Sequence, residues 1–468
     1  MFAKETYISR RARLKKDMGK GLLLFLGNGE APMNYLDNTY TFRQDSSFLY
    51  FFGLSYASLA AVIDIDEDRE IIFGNDLTID DIVWQGTQPT LSEKSARVGV
   101  SDTLPMGSLA EYISRARAKG QKIHFLDPYR GEHKVWLHEL LGLETAQISS
   151  SASVEFAKAI VAQRNHKTEE ELASIEKAVD ISTRMHLQAY RMVKPDMHEA
   201  EVAAAILKIA NEAEDTMLSF PTIATTHGHV LHNHGFHHVA KEGDLFLVDA
   251  GAESPEHYAG DLSSTMPVGE RFTQRQEQIY NIHLASFQAA LDNLKIGVPF
   301  REAHLAAATA IVEGMKELGL MKGNARDAAE AGAYAIFFPC GLGHMMGLDV
   351  HDMEALDQKY VGFDDEVQPS DQFGTNCLRM GRRLQENFVM TDEPGIYFIP
   401  ALIDDWKASG HCKEFINFDL LETYKDFGGI RIEDDILITS DGCRFLGKNR
   451  IPYHPDEVEQ YIAENKEY

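Results

Sequence analysis

The chain has 468 residues, 44% apolar and 25% charged, and exceeds the length at which a single hydrophobic core usually stops growing, so two domains of unequal size are expected. Its 45 basic and 72 acidic side chains leave a formal charge of -27, which repels phosphate backbones and anionic membrane surfaces and argues against nucleic acid or membrane partners. The charged opening segment has no signal-peptide core, and no run approaches the roughly 18 apolar residues of a membrane span, so a cytoplasmic protein is expected. Cys340, Cys377, Cys412 and Cys443 show no CxxC spacing, which indicates neither a disulfide framework nor a thiolate zinc site.

In chain order, a charged opening helix is followed by apolar runs read as strands over 22–26, 48–52, 60–65 and 70–73, then by a helix over 106–119. This pattern predicts a compact α/β domain. A small-residue and serine stretch over 145–154 leads into a helix ending near Arg164. Thr168 and Glu171 then form the capping signal of a long helix, because a hydroxyl at the N-cap and a carboxylate three residues on satisfy two free backbone amides. The boundary is expected near 155–165, giving domains 1–160 and 161–468. A second helix is predicted from the Asp196-x-x-Glu199 signal to about Glu214, followed by strands and turns until roughly Asn293. Helices fit 304–317 and 324–335, and strand and loop fit the remainder to about Leu446. Two passages of helix then strand predict an α+β domain built from a duplicated unit around a curved sheet.

Acidic residues stand where a core would exclude them. Asp249 ends the apolar run Asp244-Leu-Phe-Leu-Val-Asp249, and a buried carboxylate is costly unless paired or metal-bound. Asp261 follows after a turn-rich segment, where a hairpin would bring both acids to one face. In Ile430-Arg-Ile-Glu-Asp-Asp-Ile, alternation puts Arg431 and Glu433 together opposite the isoleucines. Glu393 precedes Pro394 and Gly395, whose backbone limits hold it at a sharp strand exit. His344 and His351 lie in the glycine-rich Cys340-Gly-Leu-Gly-His344-Met-Met-Gly-Leu-Asp-Val-His351. Each has an ordinary reading taken singly, as a turn former or a solvated loop side chain; the set together is what points to chemistry. Four carboxylates and one imidazole suit hard or borderline divalent ions, manganese foremost, and over-neutralise a single ion, so two metals are the better count. Such a pair can activate water and polarise an amide carbonyl. The crowded His227, His229, His232, His234, His237 and His238 read mostly as a polar loop.

These residues, in order and in the contexts VDAG, GDLSST, GLGHMMGLDVHD, DEPG and RIED, resemble the pita-bread metallopeptidases that include methionine aminopeptidase, aminopeptidase P and prolidase. The resemblance implies Asp249, Asp261, His344, Glu393 and Glu433 as ligands of two ions, with Asp261 and Glu433 bridging. It also implies Glu393 as the group that moves a proton from nucleophile to leaving amine. The segment Phe42-Arg-Gln-Asp-Ser-Ser-Phe-Leu-Tyr-Phe-Phe-Gly53 resembles the creatinase-like N-terminal domain of aminopeptidase P and prolidase, which methionine aminopeptidases lack. His232 matches a substrate-contacting histidine, His351 one that stabilises the tetrahedral intermediate, and Arg431 an arginine that orients the acids. Trp84 resembles a tryptophan that closes the substrate pocket, often from a neighbouring subunit; a packed aromatic of the small domain is the other reading. A homodimer or homotetramer follows from the same likeness. Cys340 departs from the family, which usually has histidine there, and a thiol donates a weaker hydrogen bond, so lowered activity or altered substrate choice is expected without loss of metal.

The resemblance implies peptides with proline in the second position as substrates. A prolidase must also hold the free carboxylate of an Xaa-Pro dipeptide, and Arg379 is the candidate, with a surface arginine as the other reading. This segment and the 401–428 insert resemble prolidases, whereas the opening domain resembles aminopeptidase P equally well. The balance leans to a dipeptidase, with aminopeptidase P as the alternative and a non-catalytic binding protein on the same fold as a remote third.

Overall fold

The computed structural model describes residues 1–466, which divide into two compact units, Met1–Arg164 with Met353–Tyr360, and Asn165–Asp352 with 361–466.

In the first unit, helix α1 (Lys4–Met18) precedes β1 (Leu22–Leu26), α2 (Ser46–Phe52), β2 (Ala60–Asp64), β3 (Arg69–Gly74) and α3 (Ile79–Gln85). Then follow β4 (Asp102–Pro105), α4 (Leu109–Ala118), β5 (Ile123–His124), α5 (Gly131–Leu141) and α6 (Val154–Arg164). The five strands form one mixed sheet in the order β4-β3-β2-β1-β5. Both faces are covered, which is why β1 and β2 are apolar without alternation. On one face Leu22, Leu24, Val62, Ile71 and Phe73 meet Leu109, Tyr112 and Ile113 of α4. On the other, the ring of Phe25 lies 5.2–5.3 Å from those of Phe51, Phe52 and Phe156.

Residues 48–52, read as a strand, are helical. Asp45 Oδ1 accepts from the Phe48 amide at 2.8 Å, and Gly53 at φ 61° closes the helix with a left-handed cap. All of α2 is buried, so no polar face exists to reveal a 3.6-residue period. Asp45→Ala should therefore lower stability by about 1 kcal/mol in urea unfolding, the usual cost of a lost N-cap. A strand at this position would leave the variant unchanged.

The second unit opens with α7 (Glu169–Met192), capped by Thr168 and Glu171 as expected, and α8 (Glu199–Ala210). Strands β6 (Ile223–Thr225), β7 (Leu245–Ala250) and β8 (Leu262–Pro267) follow, arranged β8-β7-β6 with α7 packed on β7 and β8. Next come α9 (Gln274–Leu291), α10 (Phe300–Glu317), α11 (Ala325–Glu330), β9 (Val389–Asp392), β10 (Gly395–Tyr397) and α12 (Pro400–Ser409). The chain ends through β11 (Gly429–Arg431), β12 (Asp434–Thr439), β13 (Gly442–Phe445) and α13 (Pro455–Asn465). Sheet β9-β12-β13 and the pair β10-β11 are backed by α9. Each half of this unit thus supplies a helix pair and then strands, the duplicated α+β plan.

Several local expectations are corrected. Asp196 adopts φ 66° and does not cap α8; Glu201 accepts from the His198 amide at 3.0 Å instead. Helix α9 falls in a passage read as strands. Its inward positions, Gln276, Ile279, Tyr280, His283, Ser286, Phe287 and Ala290, keep helical spacing but include three polar residues that mask the period. The helix expected over 324–335 stops at Glu330, before Gly332 at φ 81°, and α12 occupies a passage read as strand and loop.

Candidate metal centre

The pairing of β7 with β8 sets Asp249 opposite Ser263. Because strand side chains alternate, Asp261, two residues before Ser263, falls on the same face as Asp249. Ser263 also bridges Glu433, which occupies the break between β11 and β12, and the Ser263 hydroxyl donates to Glu433 Oε2 at 2.8 Å. Glu393 follows β9, and its amide donates to Leu342 O at 2.8 Å. The His344 loop lies flat on β9. A Cβ on Gly343 would stand 2.2 Å from Thr391 O, so only glycine permits this approach, and the His344 amide donates to Thr391 Oγ1 at 3.1 Å.

His344 Nδ1 lies 3.1 Å from Met345 O. A carbonyl only accepts, so Nδ1 carries the hydrogen and Nε2 presents its lone pair 3.4 Å from Asp261 Oδ2 and 3.5 Å from Glu393 Oε1. Asp261, His344 and Glu433 each offer a donor atom within 4.8 Å of the other two. Three carboxylate oxygens here, Asp249 Oδ1, Asp261 Oδ1 and Glu433 Oε1, are buried without a hydrogen-bond partner.

Charge crowding matches that geometry. Burial, then the charge of Asp249, pushes Asp261 up to about 8. Burial, reinforced by Asp261 and opposed by His344, pushes Glu393 up to about 7. Burial and Asp261 hold Glu433 well above the carboxylate range. Arg431 supplies one compensating charge: Nη2 pairs with Asp249, Nε donates to Ser263 Oγ at 3.0 Å, and Nη1 donates to Tyr397 OH at 2.8 Å. The remaining negative charge, the orphaned oxygens and the imidazole nitrogen form a donor set that fits divalent cations.

The other expected residues divide. The His351 ring lies 4.3 Å from that of His344, and the buried ion pair between Lys167 and Asp352, 2.9 Å long, anchors the adjoining backbone. His232 is exposed, and partial desolvation together with the charge of Arg431 lowers its pKa, an effect to which Arg379 adds. Arg379 is half-buried. Cys340 is half-buried, and burial followed by the charge of Glu393 pushes its thiol up to about 12, so it remains protonated at neutral pH. Trp84 lies on α3 in the first unit and is 87% exposed, which overturns its reading as a packed aromatic.

Sequence reasoning missed several supports of this centre. Ser263 could have been found from its two-residue spacing after Asp261. Tyr397 and Thr391 carry no signal of their own. His283 was hidden in the misread α9; its Nε2 lies 2.5 Å from Pro394 O and steadies the turn that carries Glu393.

Residues 173–440 match the model of Metallopeptidase family M24, and residues 7–125 match Aminopeptidase P, N-terminal domain. The chain is 30% identical over 454 residues to the "Probable Xaa-Pro aminopeptidase pepP" of Botryotinia fuckeliana, covering 96% of this chain and 94% of that one. It is 27% identical to the Xaa-Pro dipeptidase of Homo sapiens, covering 97% and 92%. The solved aminopeptidase PepP of Pseudomonas aeruginosa shares the fold, with a TM-score of 0.82 over 99% of both chains at 24% identity. No helix among the described residues is long and apolar enough to cross a membrane. With the first family model spanning more than half of its length, the chain belongs to metallopeptidase family M24, as a metal-dependent member of its Xaa-Pro peptidase branch on the pita-bread fold.

Proposed function

We propose that this protein hydrolyses the bond between an N-terminal residue and a following proline, using two divalent ions, manganese by preference, held by Asp249, Asp261, His344, Glu393 and Glu433. The observation that carries this reading is the convergence of three orphaned carboxylate oxygens and one imidazole donor on a single buried cluster. Divalent ions bound there supply Lewis-acid polarisation of the scissile carbonyl and acidify water. Glu393 takes the proton of the attacking water on its carboxylate and delivers it to the proline nitrogen, which has no hydrogen of its own in the peptide and must gain one to leave. His351 donates to the oxyanion that develops on the carbonyl, and His232 contacts the substrate beside it. Arg431 holds Asp249 and, through Ser263, Glu433 in place.

The metal reading has a stability consequence. Carboxyl groups whose pKa is raised by folding stabilise the fold below their unfolded pKa of roughly 4. That contribution is lost as pH rises through about 7 for Glu393 and about 8 for Asp261. Divalent ions bind the deprotonated groups and remove the loss. Adding MnCl2 to EDTA-treated protein should therefore raise Tm more at pH 8 than at pH 5.5. Equal increments would overturn the cluster as the metal site.

For substrate length, Arg379 favours the dipeptide: a half-buried guanidinium whose charge reaches His232 is suited to the carboxylate of Xaa-Pro. The name of the Botryotinia relative favours the second reading, an aminopeptidase acting on longer peptides. Ala-Pro and Ala-Pro-Ala hydrolysis, compared with manganese present, separates them. For the dipeptidase, Ala-Pro is preferred and Arg379→Ala raises its KM at least tenfold; preference for Ala-Pro-Ala with no effect of Arg379→Ala makes the enzyme an aminopeptidase. The four free cysteines fit a cytoplasmic enzyme, and the exposed Ile79, Val83 and Trp84 on α3 favour a homo-oligomer.

A further inference from the structure

Away from the M24 cluster, the histidine-crowded segment is not merely a polar loop. Glu199, the first residue of α8, is fully buried and collects the segment's two ends on one carboxylate. Its Oε1 accepts from Thr225 Oγ1 at 2.9 Å and from the Thr226 amide at 2.8 Å. Its Oε2 accepts from the His238 amide at 3.1 Å, and its own amide donates back to His238 O at 3.1 Å. The His227 amide donates to Thr225 Oγ1 at 2.9 Å, and His227 Nδ1 lies 3.1 Å from Thr226 Oγ1. One carboxylate thus fixes both His227 and His238, eleven positions apart in the chain, beside each other.

The two imidazoles stack with centroids 3.8 Å apart, and Glu199, His227 and His238 each offer a donor atom within 4.8 Å of the other two. His229 stands 5.8 Å from His227, centroid to centroid, and its Nδ1 is buried without a hydrogen-bond partner. These histidines, with Asp244, line a cavity of about 680 Å³. Lys241, Arg275 and Lys425 line it too, but Arg275 pairs with Asp426 and Lys425 with Asp404, so most of that positive charge is spent locally. The lone pairs of nearly parallel stacked rings lie in two nearly parallel planes, so one half-exposed ring must turn about its Cβ–Cγ bond for both to meet one ion.

We propose that Glu199, His227 and His238 form a second cation site, distinct from the M24 cluster, that takes a borderline ion of the zinc class. Two imidazoles and one carboxylate are the donor mixture such ions favour, whereas a carboxylate-dominated cluster suits harder ones. The cavity leaves room for water or a third imidazole in the remaining position. The ion closes the ends of the 227–238 loop, which carries His232 and has no regular structure of its own. Through that closure, occupancy orders the segment that the proposed function assigns to substrate contact; this consequence rests on that reading, while the site itself does not.

The test uses full-length protein saturated with manganese and then titrated with zinc. Zinc and manganese are counted after desalting, and hydrogen exchange is followed over 227–238. Wild type should retain one more zinc per chain than His227→Asn/His238→Asn, with manganese unchanged, and zinc should slow exchange in the loop at least tenfold in wild type only. Each single substitution, at a half-exposed side chain, should weaken zinc at least tenfold, so the result does not depend on the double variant folding. Equal zinc retention and equal loop exchange in wild type and variants would overturn the site. Because neither readout is peptidase activity, a failed Xaa-Pro assay leaves this result standing, and the reverse holds as well.

Discussion

Glu393→Gln is expected to lower kcat for an Xaa-Pro substrate roughly 100- to 10,000-fold, the range a positioned general acid–base group contributes, while leaving the fold intact. Glutamine keeps the shape and one carbonyl oxygen at the end of β9 but cannot exchange a proton. The surroundings explain why the native group can. Burial and the neighbouring Asp261 hold Glu393 at about 7, and the hydrogen bond its amide donates to Leu342 O, 2.8 Å long, and the following Pro394 fix its backbone. The measurement is kcat with metal content determined on the same sample. Wild-type kcat in the variant would sink the proton role, and loss of rate with full metal content would separate that role from metal binding.

The second large effect is structural. Arg431→Lys should cost about 2 to 6 kcal/mol in urea unfolding of the metal-free protein, about 1 to 3 kcal/mol for each of two buried partners left unmet. A conservative exchange is damaging because the guanidinium uses three nitrogens on three partners, Asp249, Ser263 and Tyr397. An ammonium on a flexible stem can satisfy one of them and leaves the others unmet in a buried site. The same change should weaken metal uptake, since Ser263 is the shared support of Arg431 and Glu433. A variant within about 0.5 kcal/mol of wild type, the scatter of ordinary surface substitutions, would show that the arginine is not what holds the acids.

Much of this was legible along the chain. Acids in apolar surroundings mark themselves, because burying an unpaired carboxylate is costly enough to demand a reason. For the same reason Asp249, Asp261, Glu393 and Glu433 stood out against their strands, and the Thr168 capping box marked the start of α7. The misread elements share a different cause. Helix α2 is buried all round and α9 buries glutamine, histidine and serine, so neither displays the amphipathic period by which a helix is recognised.

By itself the sequence determined which residue types could do metal chemistry and in what order they occur, since charge and donor character belong to the side chain alone. Only the tertiary structure decided which of them meet. The register of β7 against β8 places Asp261 beside Asp249, the close approach permitted at Gly343 sets His344 against the acids, and Ser263 ties Glu433 to Arg431. It also decided that Glu199 gathers His227 and His238 while Trp84 is left 87% exposed. Hydrogen bonds and lone pairs act over about 3 Å, and what lies within that distance across a hundred residues of chain is set by packing and register, which no local pattern encodes.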